Sequence, residues 1–200
     1  MGFWGYLLLG RGGDRALTEF PVLAASREHL VPARAFAGGW QLWRHPDYPD
    51  YQEHLHCLCF PQCPPHRDRP SGPEPAGAMD AQVRALACET GAPALAAYVM
   101  ESDCAIVAGA HPGGASWSAC LGRTPLAQYM ADTGLGLDEL FPTPREAAAH
   151  CAAWAAAAGH TADAAELAQV LAADPEPLVE DLFEELLARL GVVERRLAGR

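Results

Sequence analysis

The sequence predicts an α+β fold: a small, mainly antiparallel sheet with packed helices and a C-terminal helical section. Three short apolar runs at 94–100, 104–110 and 116–121 follow one another, separated by the polar residues 101–103 and the turn-forming residues 111–114. Short apolar runs bounded by turn chemistry are typical of strands, and three in succession predict an antiparallel meander. The first two runs are apolar at nearly every position, so we expect both of their faces to be covered.

Two further strands are expected near residues 3–9 and 35–44. The first is apolar and aromatic and ends at a glycine-rich turn, and the second is interrupted by Gly38 and Gly39. Residues 1–135 are therefore predicted to form an α+β domain, which contains a long Pro-, Cys- and His-rich loop at 45–78. Residues 136–200 are predicted to be a helical section that packs on the same core.

The helical section carries clear start signals. Thr143, Pro144 and Glu146 form the pattern of a capping box with proline in the first turn, and Asp163 begins a second such pattern. Asp174, followed by Pro175, is expected to cap the last helix. Four leucines at helical spacing, Leu178, Leu182, Leu186 and Leu190, predict that this last helix packs through one stripe.

Composition excludes several chemistries. The chain has a formal net charge of −11, no lysine, no asparagine and a single isoleucine, a bias typical of a GC-rich bacterial genome. Without lysine there can be no Schiff base and no phosphate-loop lysine, and without asparagine there can be no Cys-His-Asn triad and no N-glycosylation. An acidic protein repels phosphate backbones, so nucleic acid is not an expected partner.

Neither secretion nor membrane insertion is indicated. The N-terminal apolar run is short and has no basic leader, and no uninterrupted apolar span is long enough for a membrane helix. We therefore expect a cytoplasmic protein with no membrane partner, whose seven cysteines are thiols or metal ligands rather than disulfides.

The 45–78 loop holds the densest group of metal-ligand residues. Its 34 residues contain eight of the seventeen prolines, three of the seven cysteines and four of the eight histidines. Thiolates and imidazoles in groups of four bind zinc, although the spacing here is not that of a paired knuckle. The candidate ligands are His54, His56, Cys57, Cys59, Cys63 and His66. The alternative is a surface loop whose Cys and His content is incidental, and no other cofactor is predicted.

No catalytic constellation is recognisable. Glu101, Asp103 and Asp132 could serve as acid or base, but no spacing pairs them. The chain lacks the nucleophile-elbow and dinucleotide-binding motifs. The cysteines outside the loop have small apolar neighbours and are expected to be buried as small hydrophobes.

The C-terminal part is strongly acidic. Residues 79–200 carry a net charge of −10 against −1 for residues 1–78. Acids on the last helix and just before it form the candidate partner-binding set: Asp174, Glu176, Glu180, Asp181, Glu184 and Glu185. Several lie in first helical turns, where the helix dipole favours them, and they are expected to lie opposite the leucine stripe. A merely solvated helix face is the alternative.

These observations favour a non-catalytic bacterial protein that binds a basic protein partner through an acidic face. In size, acidity and lack of a catalytic motif it is similar to inhibitors and immunity proteins that neutralise basic toxins. The first alternative is a zinc-binding or thiol-dependent protein that uses the 57–66 segment. The second is an enzyme whose pocket cannot be seen in the sequence. The oligomeric state is not indicated.

Overall fold

Six strands form one antiparallel sheet within the part of the chain that the computed structural model describes, residues 2–46, 75–114, 116–131 and 134–194. They are β1 (Gly5–Arg11), β2 (Val31–Ala35), β3 (Trp40–Pro46), β4 (Ala94–Met100), β5 (Cys104–Ala110) and β6 (Trp117–Leu121). Their order across the sheet is β2-β3-β1-β4-β5-β6. The predicted α+β architecture is confirmed, and β4, β5 and β6 form the expected meander.

The strand expected near 35–44 proves to be two strands, and this prediction was wrong in detail. β2 ends at Ala35 and β3 starts at Trp40, and the two pair with each other. Gly38 and Gly39 between them have φ angles of +70° and +81°. Because glycine alone adopts such angles freely, the chain reverses there instead of continuing as one strand.

Both faces of the sheet are covered, as the continuous apolar runs predict. Among the described residues the helices are α1 (Pro75–Thr90), α2 (Arg123–Tyr129), α3 (Leu137–Leu140), α4 (Pro144–Ala157), α5 (Ala164–Ala172) and α6 (Val179–Arg189). Helices α4, α5 and α6 share one buried cluster with one face, which includes Leu7, Leu95 and Val107. The other face, with Leu8 and Ala96, packs with α1, α2 and two short 3₁₀ turns.

The helix starts follow the capping signals with one exception. Thr143 and Glu146 form the expected reciprocal capping box, and the Asp163 carboxylate accepts hydrogen bonds from two amides of α5. The last helix, however, begins at Val179 and not next to Asp174. Glu176 precedes Pro177, and a residue before proline is disfavoured in the helical conformation, so the helix starts only after Pro177.

The last helix packs through its apolar stripe. Leu182, Leu186 and Leu190 are buried, whereas Leu178 is 43% exposed at the start of the helix. Among the described residues, no helix has the length and apolar character required to cross a bilayer.

Candidate functional site

The β4–β5 turn is the most unusual piece of backbone in the described structure. Glu101 and Ser102 have φ angles of +54° and +61°, and they are the non-glycine residues with positive φ among those described. Side chains other than glycine occupy this region at a cost of roughly 1–2 kcal/mol each. The surrounding structure must therefore hold the turn in place.

The N-terminal residues 2–4 hold this turn. The backbone N–H of Phe3 donates to Ser102 Oγ at 2.7 Å, and the backbone N–H of Ser102 donates to the Phe3 carbonyl at 3.0 Å. The Glu101 carboxylate accepts from the Trp4 indole N–H and from the backbone N–H of Gly2. The indole hydrogen bond, followed by that from Gly2, lowers the pKa of Glu101, so this carboxylate is charged at neutral pH.

Helix α6 begins against the same turn. The backbone N–H of Val179 donates to the Ser102 carbonyl at 2.8 Å, and Ser102 Oγ donates to Glu180 Oε1 at 2.9 Å. Ser102 and Glu180 are only 4% and 8% exposed, and Glu180 Oε2 is buried with no partner among the described residues. Glu180 was expected on the solvent-facing side of the helix. The structure corrects this, because the carboxylate is turned inward to receive the Ser102 hydroxyl.

Two of the remaining predicted acids pair with arginines. Glu184 accepts from Arg34 at 2.6 Å, and Glu185 lies 3.3 Å from Arg189. The Glu185–Arg189 pair has the four-residue spacing of a helical ion pair and could have been found in the sequence. Arg34 is 150 residues from Glu184 and comes from β2, so no local pattern signals that pair.

Asp174, Glu176 and Asp181 are exposed near the start of α6. Asp174 accepts a hydrogen bond from the backbone N–H of Thr124 at 3.1 Å. Neither Glu176 nor Asp181 forms an ion pair with a described arginine. These two carboxylates are therefore free to meet a partner, as far as the described residues go.

Two acidic segments that are distant in sequence therefore lie beside each other at one end of the sheet, joined by the hydrogen bonds of Ser102 to Val179 and Glu180. We call this the acidic end and define it as Glu101, Asp103, Asp174, Glu176 and Asp181. The junction between β6 and α2 packs tightly against Asp103, because a Cβ on Gly122 would lie only 2.5 Å from the Asp103 carbonyl oxygen. The nearby Arg123 is already engaged, with a guanidinium nitrogen 2.5 Å from Asp138 Oδ1.

Half-buried aromatic side chains adjoin the acidic end. Trp4 binds Glu101, and the Tyr129 hydroxyl donates to Asp103 at 3.5 Å. Burial, together with the Asp103 charge, raises the pKa of Tyr129 to about 12, so the hydroxyl remains protonated. Tyr6 and Tyr98 stand side by side on β1 and β4 with ring centroids 4.7 Å apart. Sequence reasoning missed this grouping, because strand pairing brings Tyr6 to Tyr98 and only the fold brings Trp4 and Tyr129 to the β4–β5 turn.

The described residues do not test the zinc alternative. All six candidate zinc ligands between His54 and His66 lie outside the described ranges, so zinc binding stays a prediction there. Within those ranges no group of three or more His, Cys, Asp or Glu side chains could hold a metal ion.

The buried thiols are not poised for nucleophilic chemistry. Burial raises the pKa of Cys104 and of Cys151 to about 12 and that of Cys120 to about 11. The thiolate is the reactive form of cysteine, and these groups are protonated at neutral pH. The expectation that the cysteines outside the loop are buried is wrong for Cys88, which is exposed on α1.

Comparison with known proteins adds no relationship: no family model matches the sequence, and searches of curated proteins and of solved structures found no match.

Proposed function

We propose that the protein works by binding a basic protein partner at its acidic end, as an inhibitor of the immunity-protein type would. The observation that carries the proposal is the pair of contacts from Ser102 to α6. By binding Val179 and Glu180, Ser102 places the acidic start of α6 beside the acidic β4–β5 turn.

Charge supports this choice of partner. The chain carries 25 acidic residues against 14 arginines. Among the five carboxylates of the acidic end, none forms an ion pair with a described arginine. Such a surface attracts cationic proteins and speeds their encounter, whereas it repels nucleic acids. The cytoplasm remains the predicted compartment.

The surrounding structure supports rigid presentation of these charges. Glu101 is fixed by Trp4 and Gly2, and Asp103 receives the Tyr129 hydroxyl. Side chains that are ordered before binding lose less conformational entropy when the complex forms. Half-buried aromatic rings beside the charges add apolar area of the kind that anchors protein interfaces.

The proposed binding surface is the acidic end and not the whole set of acids between 174 and 185 that the sequence suggested. Glu184 and Glu185 already pair with Arg34 and Arg189, and Glu180 is buried. Glu176 and Asp181 therefore carry the test, since their removal disturbs no described ion pair.

The experiment compares capture of lysate proteins from the source organism by three immobilised proteins. They are the wild type, Glu176→Gln/Asp181→Asn, and the control Asp14→Asn/Glu28→Gln, which removes two exposed acids elsewhere. We expect one basic protein to be retained by the wild type and the control and to be depleted on the acidic-end variant. Its association rate should fall about three- to tenfold in that variant and should fall with added salt. Equal capture and equal rates for all three proteins would contradict the proposal.

A further inference from the structure

A small cavity lies at the end of the sheet opposite the acidic end, where β1 ends and β3 begins. Its volume is about 130 Å³, and its walls include Arg11, Gly38, Trp40, His160 and Gly191. A single water needs roughly 10–15 Å³ of such volume, so the cavity has room for a small ion with several oxygens. No described residue that lines it carries a carboxylate.

Arg11 is an exposed residue that supplies a positive charge at this cavity. Its Nε–H donates to the Gly38 carbonyl oxygen at 2.7 Å, which fixes the plane of the guanidinium group. Among the described residues Arg11 has no ion pair. The donors on its two terminal nitrogens are the fork that binds carboxylate and phosphate oxygens in pairs.

His160 supplies a second polar group that lacks a partner. Its Nε2 is buried and has no hydrogen-bond partner among the described residues. The ring is held against Gly191, since a Cβ there would lie 2.6 Å from His160 Cγ. Gly191 has a φ of +87°, which also favours glycine at this position. A buried nitrogen without a hydrogen-bond partner is destabilising, and a hydrogen bond to an oxygen of a bound anion would remove that penalty.

The wall beside these two groups is apolar. Trp40 is 2% exposed and packs on Trp154 with ring centroids 5.4 Å apart. Charge–charge attraction is stronger next to such a wall than in open water, because the local dielectric constant is lower.

We propose that this cavity binds a small oxyanion, with the chemistry of a phosphate or a carboxylate group, between the Arg11 guanidinium and the His160 imidazole. The terminal nitrogens of Arg11 donate to two oxygens of the anion, and His160 donates its Nε2–H to one of the anion's oxygens. The site is separate from the acidic end and does not depend on the proposed protein partner.

The test is an NMR titration of the full chain with inorganic phosphate, with acetate and with chloride at matched pH and ionic strength. We expect the backbone signals of Gly38, His160 and Gly191 to shift saturably with phosphate or acetate, with a dissociation constant in the millimolar range, and not with chloride. The oxyanion that binds more tightly identifies the ligand class.

Two charge-matched variants decide the role of Arg11. Arg11→Gln should weaken binding at least tenfold, whereas Arg145→Gln removes an exposed arginine on α4 and should leave the affinity unchanged. His160→Gln, which removes the imidazole, should also weaken binding. Chemical-shift changes that increase linearly with the concentration of all three salts would overturn the proposal. Equal anion affinities of Arg11→Gln and Arg145→Gln would also overturn it.

Discussion

The acidic end carries five carboxylates without an ion pair to a described arginine, whereas the opposite end of the sheet carries Arg11, which has no ion pair among the described residues. The backbone conformations of the two ends also differ. At the acidic end, positive φ angles belong to Glu101 and Ser102 as well as to Gly122, whereas at the cavity end they belong to glycines such as Gly38 and Gly191. Because glycine has no side chain, Gly38 and Gly191 leave space for a concave surface. At the acidic end the side chains are kept despite their backbone cost, because they hold the turn, the N-terminus and α6 together. This comparison is consistent with the two proposals, in which one end presents negative charge to a partner and the other binds a small anion.

Helix α6 connects the two ends. It begins against Ser102, and the segment after it runs past His160 to Val193, whose carbonyl accepts the backbone N–H of Ala37. Eleven residues of α-helix span about 16 Å. Loosening this helix should therefore disturb both ends together.

The largest expected effect comes from truncating the buried side of α6. Leu186 is fully buried, so Leu186→Ala should lower the free energy of unfolding by about 2–5 kcal/mol. Leu178→Ala is the matched control, because Leu178 is 43% exposed, and it should cost less than about 1 kcal/mol. Urea unfolding measures both. A loss below about 0.5 kcal/mol for Leu186→Ala would mean that α6 is not part of the core.

A smaller effect is expected at the acidic end itself. Ser102→Ala removes the hydroxyl that joins Phe3 N–H to Glu180 and leaves buried groups without partners. The expected loss is about 1–3 kcal/mol. Ser102→Gly loses the same hydroxyl but relieves the positive φ, so it should be roughly 1 kcal/mol more stable than Ser102→Ala. Equal stability of the two variants in urea unfolding would show that the turn is not strained.

The three buried thiols among the described residues predict alkaline sensitivity. Their pKa values, raised by burial to about 11–12, mean that the folded protein keeps protons that the unfolded chain releases above about pH 9. Their contribution to stability is therefore complete below pH 9 and is lost as the pH rises toward 11–12. Each thiol should add a slope of up to about 1.4 kcal/mol per pH unit in that window.

Cys151→Ala tests this pH dependence, because it removes one of the three described buried thiols. Urea unfolding at pH 8, 9 and 10 should show a shallower decline for this variant than for the wild type. Identical slopes would mean that Cys151 ionises as readily in the folded protein as in the unfolded chain.

The sequence predicted β4, β5 and β6 well and the edge at β2 poorly. The bounds of β4 and β5 match the expected runs because buried strands are apolar throughout and end at polar turns. β2 was missed because all five of its residues are exposed and it contains Pro32, which an edge strand tolerates but which does not signal a strand.

The sites were less predictable, since they depend on contacts between distant residues. The excess of acidic residues in the C-terminal part suggested α6 as a binding surface. Only the fold shows that the Glu180 carboxylate turns inward to Ser102, which is 78 positions away in the sequence. Arg34 likewise reaches Glu184 from β2, and His160 meets Gly191 and the Arg11 cavity only in three dimensions. Local spacing carries no signal for any of these contacts.

The contrast in charge between the two ends can be measured directly with charged paramagnetic probes. A cationic and an anionic nitroxide are added separately to isotopically labelled protein, and the relaxation enhancement of each backbone amide is recorded. We predict that the cationic probe preferentially broadens the amides of Glu101, Asp103, Glu176 and Asp181, and that the anionic probe preferentially broadens those around Arg11 and Gly38. Equal enhancements by both probes at the two ends would contradict the account.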